Sequence, residues 1–317
     1  MTGVSAIVVS WNTRELTAGC LRNLIEHAPQ GADYEIVLVD NGSTDGTIEV
    51  VEREWPEVQL IPNTENVGFT RANNQGILVS RGNYLLLINT DARLTDGCFD
   101  HMLRVIETKD RVGAVGPRLV YDDGRWQRWT AGRAPTFWTA LNYYLFLDRL
   151  SQFLPALRGI YAACDTRRGS EVDWVCSACM LLSRAALDEV GLLDEGIFVY
   201  MDDVELCQRL RDGGWRVWYS PEVDAIHFGG HNRITDEGIV STVALRAFNQ
   251  YFARRNGRRA AFGLGIVQTI GHSLRALLYA AAAALRRGDP NLVAQARAHA
   301  AFSQFGLSSA VGHARKG

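Results

Sequence analysis

The chain has 317 residues, enough for one large domain or a domain with an appendage, and 47% apolar against 21% charged residues allows a sizeable core. A formal net charge of -2 and a pI near 6.4 argue against a general nucleic-acid binder, which would be basic overall. Six cysteines at this length make no disulfide scaffold and read as the reduced thiols of a cytoplasmic protein.

The opening "MTGVSAIVVSWN" has neither a basic leader nor a long apolar core, so it reads as a first strand over 5–11 rather than a signal peptide. Residues 14–27 place Leu16, Cys20, Leu21 and Leu24 on one helical face. "EIVLVD" (35–40) is a second strand and "NGSTDG" (41–46) a turn, with Ser43 or Thr44 expected to cap a helix over 47–54. A third strand at 58–63, a helix at 68–80 and a fourth strand at 84–89 complete a strand–helix alternation. That alternation predicts a doubly wound, mostly parallel sheet, with ligands beyond the carboxyl ends of its strands. Asp40 and Asp91 both fall at such ends, although acids also start ordinary turns.

The aromatic-rich middle, about 120–172, carries no clear period, and "RRGSEVDW" reads as a loop. Residues 175–195 predict a strand and a short helix. Residues 197–215 begin extended and become a helix with Val204, Leu206, Cys207 and Leu210 on its apolar face. Residues 216–230 form a strand ending at His227. Beyond about 240 the pattern is helical and basic on one side. The apolar stretch at 260–285 is interrupted by Gln268, His272 and Arg275, which argues against a membrane span.

Several residues could carry chemistry. Asp91, in "LLLINTDARL", suits a Mg²⁺ or Mn²⁺ ion that shares its remaining sites with phosphates and water. Asp202 and Asp203 open a helix, where they could simply complement its dipole or act as a general base. His227, followed by Phe228 and two glycines, could reach a metal or a phosphate, with His231 as a second candidate. Arg71 could meet a phosphate or Asp91. The CxxC pair Cys176/Cys179 lacks a second ligand pair and reads as packing. Neither GxGxxG nor GxxxxGK[ST] is present in the expected place.

Taken in order, "IVVSWN", "VLVDNGSTDGT", "NVGFTRANNQG", "LLLINTDARL", "CMLLSRAALDEVGLLDE", "YMDDVELCQRLRDGGW" and "IHFGG" resemble the family 2 glycosyltransferases over about 4–230, most closely the bacterial rhamnosyltransferase group. The resemblance implies a GT-A (Rossmann-like) α/β fold. A catalytic domain would span 1–235, with a nucleotide-binding half at about 1–118 and an acceptor half at 119–235, followed by a helical extension at 236–317. It implies that Ser10, Trp11, Asn12, Asp40, Asn66, Arg71, Asn89 and Thr90 border the nucleotide. Asp91 corresponds to the last acid of the DxD motif and His227 to a further metal ligand, while Asn89 replaces the motif's first acid. Asp203 corresponds to the catalytic base, with Asp202 where the family has Glu.

The activity so implied is inverting, metal-dependent transfer. The sugar is L-rhamnose from dTDP-rhamnose, or a hexose or galactofuranose from a UDP donor. The acceptor is a glycan or a polyprenyl-diphosphate-linked sugar of the cell envelope. A nucleotidyltransferase and a non-catalytic sugar-nucleotide-binding module are the rival readings. The arginine-flanked tail reads either as a membrane-surface helix, at the inner face of the cell membrane, or as a packing or homodimer contact.

Overall fold

The computed structural model describes residues 3–161, 168–229 and 242–315. The chain separates into two compact units, one of Met1–Gly132 with Cys164–Gly230, the other of Arg133–Ala163 with His231–Gly317. The stretch 133–163 thus belongs with the C-terminal helices, whereas the sequence places it in an acceptor half.

The first unit opens with β1 (Gly3–Ser10), α1 (Arg14–Glu26), β2 (Asp33–Asp40), α2 (Thr47–Glu54), β3 (Gln59–Pro62), α3 (Phe69–Val79) and β4 (Tyr84–Asn89). These are the alternating elements the apolar runs predict. Next come β5 (Ala92–Leu94), α4 (Cys98–Thr108), β6 (Val112–Val120) and the two-residue β7 (Ala131–Gly132). In the second unit the chain then forms α5 (Phe137–Tyr144). Back in the first unit lie β8 (Ser170–Val172), β9 (Trp174–Val175), β10 (Cys179–Ser183), α6 (Arg184–Val190), α7 (Asp202–Asp212) and β11 (Arg216–His227). The "RRGSEVDW" stretch therefore supplies β8 and the start of β9 rather than a loop alone.

Among the described residues, nine strands make one sheet in the order β3-β2-β1-β4-β10-β6-β11-β5, with β8 also on β11. β1, β2, β3 and β4 are mutually parallel, as are β6 and β11. β10 runs antiparallel between β4 and β6, so the mostly parallel sheet is mixed at its middle. Leu38, Leu86, Leu181, Phe99 and Met102 are buried in the main core on one side of the sheet. On the other side, Gly76 lets α3 approach closely, since a Cβ there would sit 2.6 Å from Ile7. On α1, Thr17 and Ala18 join Cys20, Leu21 and Leu24 inside, while Leu16 is only half-buried. The cap of α2 is also not the expected one. Gly46, at φ 85°, stands at the N-cap, and Asp45 accepts from the Thr47 backbone N–H. Ser43 and Thr44 turn the other way, toward Asp40 and Asn12.

The second unit adds α8 (Thr242–Leu285) and α9 (Pro290–Arg315) to α5. α8 breaks at Gly257, whose φ of 80° and ψ of 169° are not helical, and the two limbs fold together so that Asn249 and Gln268 exchange hydrogen bonds of 3.1 and 2.7 Å. α5 runs against the second limb. Gln268 donates to the Tyr144 hydroxyl at 3.1 Å, and Arg275 donates to the carbonyls of Tyr143 and Tyr144, which end α5. Ser273 with Ser303 and His272 with His299, at 2.8 and 3.0 Å, join α8 to α9. Among the described residues no helix is long and apolar enough to cross a membrane.

Candidate functional site

The strand ends carry the site residues. Register pairs Ser10 with Asp40 and Val9 with Asn89, so β1, β2 and β4 finish side by side. Asp40 is fully buried, and both of its carboxylate oxygens are used. Oδ2 accepts from Ser10 Oγ at 2.6 Å and from Ser43 Oγ at 2.7 Å, and Oδ1 accepts from the Ser43 N–H at 2.7 Å. Through these bonds Ser10 and Asp40 brace the ends of β1 and β2. Gly42 permits this turn, with φ 75° and room for no Cβ beside the backbone of Glu65.

Asn12 sits at φ 51°, a conformation asparagine tolerates, and its Oδ1 accepts from the Thr44 N–H at 2.8 Å. This holds the neighbouring Trp11 at the rim, 53% exposed. Asn66 turns inward, its Oδ1 accepting from the Gly68 N–H at 3.0 Å. Arg71, expected to meet a phosphate or Asp91, lies 3.9 Å from Glu195 on the surface.

The "FTRANNQG" helix has another task. Thr70 donates to the Ile197 carbonyl at 2.5 Å, and Asn74 exchanges hydrogen bonds of 2.9 and 3.0 Å with the Leu193 backbone. The Phe69 N–H donates to Phe198 O at 2.8 Å. α3 thereby clamps the segment that delivers Asp202 and Asp203. That segment is not extended as expected: Tyr200 and Met201 are both left-handed, at φ 66°. Left-handed backbone costs L residues about 1–2 kcal/mol each, a strain that typically persists where the surroundings enforce it at a functional site.

The two acids open α7. Asp202 is buried and accepts from Ser177 Oγ at 2.9 Å. Asp203 is half-buried, accepting from the Val204 N–H at 2.8 Å and, more loosely, from the Ser177 N–H at 3.4 Å. Burial pushes the carboxyls of both upward. For Asp203, burial and then the charge of Asp202 raise it to about 7. Such a group is poised to take a proton at neutral pH.

Across the sheet end, Asp91 directly precedes β5, which pairs with β11 so that Ala92 faces His227. His227 Nε2 lies 3.4 Å from Asp91 Oδ1, and its Nδ1 is held by Gln127 Oε1 at 2.9 Å. Gln127 Nε2 in turn donates to the His227 carbonyl. Arg93 braces the turn by donating to the Thr90 carbonyl at 2.8 Å, and Thr90 itself is buried.

The 176–178 turn joins the two halves of the site. The Asn89 N–H donates to the Ala178 carbonyl at 3.1 Å, while Ser177 holds Asp202 and Asp203. Cys176 lies within the field of all three acids. Burial, then Asp203, Asp202 and Asp91, drive its thiol well above the usual range. Asp91 and Asp203, distant in the chain, are thus gathered at one end of the sheet. Gln127 and Ser177 escaped the sequence reading. A buried glutamine leaves no periodic signal, and the serine hides between two packing cysteines. His231 lies outside the described residues.

Among the described residues, no group of three or more His, Cys, Asp or Glu side chains gathers as a metal site. The donor set still fits a hard divalent cation that takes most of its ligands from phosphate and water. Asp91 offers a carboxylate oxygen. With Nδ1 held by Gln127 Oε1, Nε2 is the His227 nitrogen that faces Asp91 and would turn its lone pair to a cation there. Asn89 Oδ1, at the end of β4, is buried without a hydrogen-bond partner.

Comparison with known proteins identifies the family and the fold. A sequence model described as "Glycosyl transferase family 2" matches residues 5–191. An N-acetylglucosaminyl-diphospho-decaprenol L-rhamnosyltransferase of Mycobacterium tuberculosis (strain CDC 1551 / Oshkosh) is 28% identical over 220 residues, 62% of this chain and 67% of that one. The fold is similar to a mannosyltransferase from Pyrobaculum calidifontis in complex with GDP-Man and Mn²⁺, with a TM-score of 0.54 and 18% identity over 98% of this chain and 86% of the other. It is similar also to GalNAc-T7 with UDP, GalNAc and Mn²⁺, with a TM-score of 0.55 and 15% identity over 81% of this chain. The chain spans about half, 51%, of that GalNAc-T7 structure. At these identities the two structures establish a GT-A-like fold.

Proposed function

The chain belongs to glycosyl transferase family 2, and from that premise we propose that it moves a sugar, with inversion, from a nucleotide-sugar donor to a hydroxyl of a glycan or lipid-linked acceptor in cell-envelope polysaccharide synthesis. The observation that carries this reading is the placement of Asp203, through Ser177 and the 176–178 turn, at the same sheet end as Asp91 and His227, with burial and Asp202 raising its carboxyl.

In this reading the exposed Trp11 ring offers a face for the base, and Asn12, Asn89 and Thr90 border the nucleotide. Ser10, Asp40 and Asn66 shape that border from behind it. Asp91 and His227 would hold a divalent cation, with Gln127 fixing the imidazole; once bound, the cation supplies positive charge beside the leaving diphosphate. Asp203 takes the proton of the acceptor hydroxyl as that oxygen bonds to the anomeric carbon and the carbon–oxygen bond to the diphosphate breaks on the opposite face. Asp202, held by Ser177, keeps its neighbour's proton affinity high.

L-Rhamnose carried on dTDP is the donor this reading favours, supported by the name of the mycobacterial relative and by the "NVGFTRANNQG" stretch. A panel of dTDP-, UDP- and GDP-sugars with Mn²⁺ tests it by thermal shift, followed by proton NMR of the transferred sugar. dTDP-rhamnose should give the largest shift, because stabilisation follows ligand saturation, and the product should have inverted anomeric configuration. A larger shift with a UDP-hexose reassigns the donor, and a retained configuration removes the one-step role of Asp203.

The pH dependence has two opposed parts. Turnover should rise through about pH 7 as Asp203 ionises, with its pKa set by burial, by Asp202 and by the surrounding protein dipoles. Stability should move the other way. The folded state keeps a proton on Asp203 that the unfolded chain releases near pH 4, so between about pH 4 and 7 this group costs progressively more stability as pH rises. Pre-steady-state rates and unfolding temperatures measured from pH 5 to 8 check both slopes. A rate flat across this range would rule Asp203 out as the base.

A further inference from the structure

After the break at Gly257, α8 is apolar on two adjoining sides. Leu264, Val267 and Gly271 face inward, buried within the second unit. Beside them Ile266, Ile270, Leu274, Leu277, Leu278 and Leu285 are all exposed, Leu277 at 67% and Leu285 at 87%, and at 100° per residue they fall within one arc of about 120°. From Ile266 to Leu285 the stripe runs about 29 Å at 1.5 Å per residue. An exposed apolar arc of this length calls for a second apolar neighbour.

The charge around this stripe narrows the choice of neighbour. Residues 243–309 contain nine arginines and a single acid, Asp289, although the whole chain carries a net charge of -2. Arg254, Arg255, Arg258 and Arg259 are exposed just before and just after the break, and Arg286 and Arg287 are exposed directly beyond Leu285. The stripe is therefore bracketed by cations at both ends. A second copy of the chain would bring the same arginines against these, a like-charge contact. An anionic bilayer offers both an acyl boundary for the leucines and headgroup charge for the guanidinium groups. No described helix is long and apolar enough to span, which leaves a helix lying in the plane of the surface.

We propose that this face of α8, from Ile266 to Leu285, lies in the surface of an anionic membrane, with the flanking arginines at the headgroups. None of these residues takes part in the proposed glycosyl transfer.

The test uses the full chain, sedimented with phosphatidylcholine vesicles with and without phosphatidylglycerol. Binding should require phosphatidylglycerol and weaken as salt is raised. The double substitution Leu277→Glu/Leu278→Glu should lower partitioning by about tenfold or more, since it removes two inserted side chains and adds charge. Arg286→Gln/Arg287→Gln, on side chains that support no core, should lower it several-fold and flatten the salt dependence. Circular dichroism and unfolding temperature verify that each variant is folded. Equal partitioning of wild type and both variants, or no binding to either vesicle, overturns the proposal. So does a dimer in sedimentation velocity that the Leu277/Leu278 variant converts to monomer without any vesicle binding, an outcome that assigns the face to self-association.

Discussion

Asp203→Asn should cut turnover by about a hundred- to ten-thousand-fold, the range a positioned general base contributes, while donor affinity stays within about twofold. Asparagine keeps the shape, and its single amide oxygen can still accept from the Val204 N–H, giving up only the looser 3.4 Å bond from the Ser177 N–H, so the start of α7 should stand. What it lacks is an oxygen that can take a proton. The same variant should unfold at a higher temperature above pH 7, because it removes a carboxylate that burial and Asp202 make costly to ionise. Each kcal/mol released would appear as about 2–4 °C in a domain of this size. Isothermal titration with the donor, single-turnover rates and thermal melts separate these effects. If affinity and rate fall together and the melting temperature drops, Asp203 is a structural acid and the proposed transfer has no base.

Asp91→Asn should lower turnover on the order of a hundredfold or more, the usual loss when one charge-stabilising group is taken from a transition state. Here binding should change as well. The extra thermal stabilisation that Mn²⁺ gives in the presence of nucleoside diphosphate should largely vanish, while the unfolding temperature without ligand stays close to wild type. Only one oxygen of the Asp91–His227 pair is altered, and the Asp91 carbonyl still accepts from the Phe228 N–H at 2.9 Å. Unchanged Mn²⁺ stabilisation in this variant would move the cation elsewhere and leave Asp91 as a strand-end acid.

The first four strands and their helices were legible because "SAIVVSW", "EIVLVD" and "YLLLIN" are short apolar runs bounded by turn residues, and their ends delivered Asp40 and Asp91. The direction of β10 was not legible. A run such as Cys179–Ser183, buried throughout, reads the same in either orientation. β5 is three residues long and leaves almost no pattern, yet its pairing with β11 is what brings His227 to Asp91. The site was legible where an acid follows a strand. It was obscured where a polar residue works through another. Asn74 ties down Leu193 from within α3, Gln127 sits in an aromatic stretch without period, and Ser177 acts through hydrogen bonds made by a turn. The left-handed pair Tyr200–Met201 leaves no signal in the sequence, since neither residue type favours that conformation.

The placement of β10 bears on how the chain is made. Ile88 of β4 waits for Cys179, and Val115 of β6 for Leu181, so the middle of the sheet is missing until translation has passed those residues. Until then β4 and β6 leave the ribosome with unpaired backbone edges and leucine-rich faces, the kind of surface on which nascent chains cross-associate. Fragments ending before Cys179 should therefore be recovered as aggregates, and slower elongation ahead of that point should lengthen the nascent chain's dependence on chaperones.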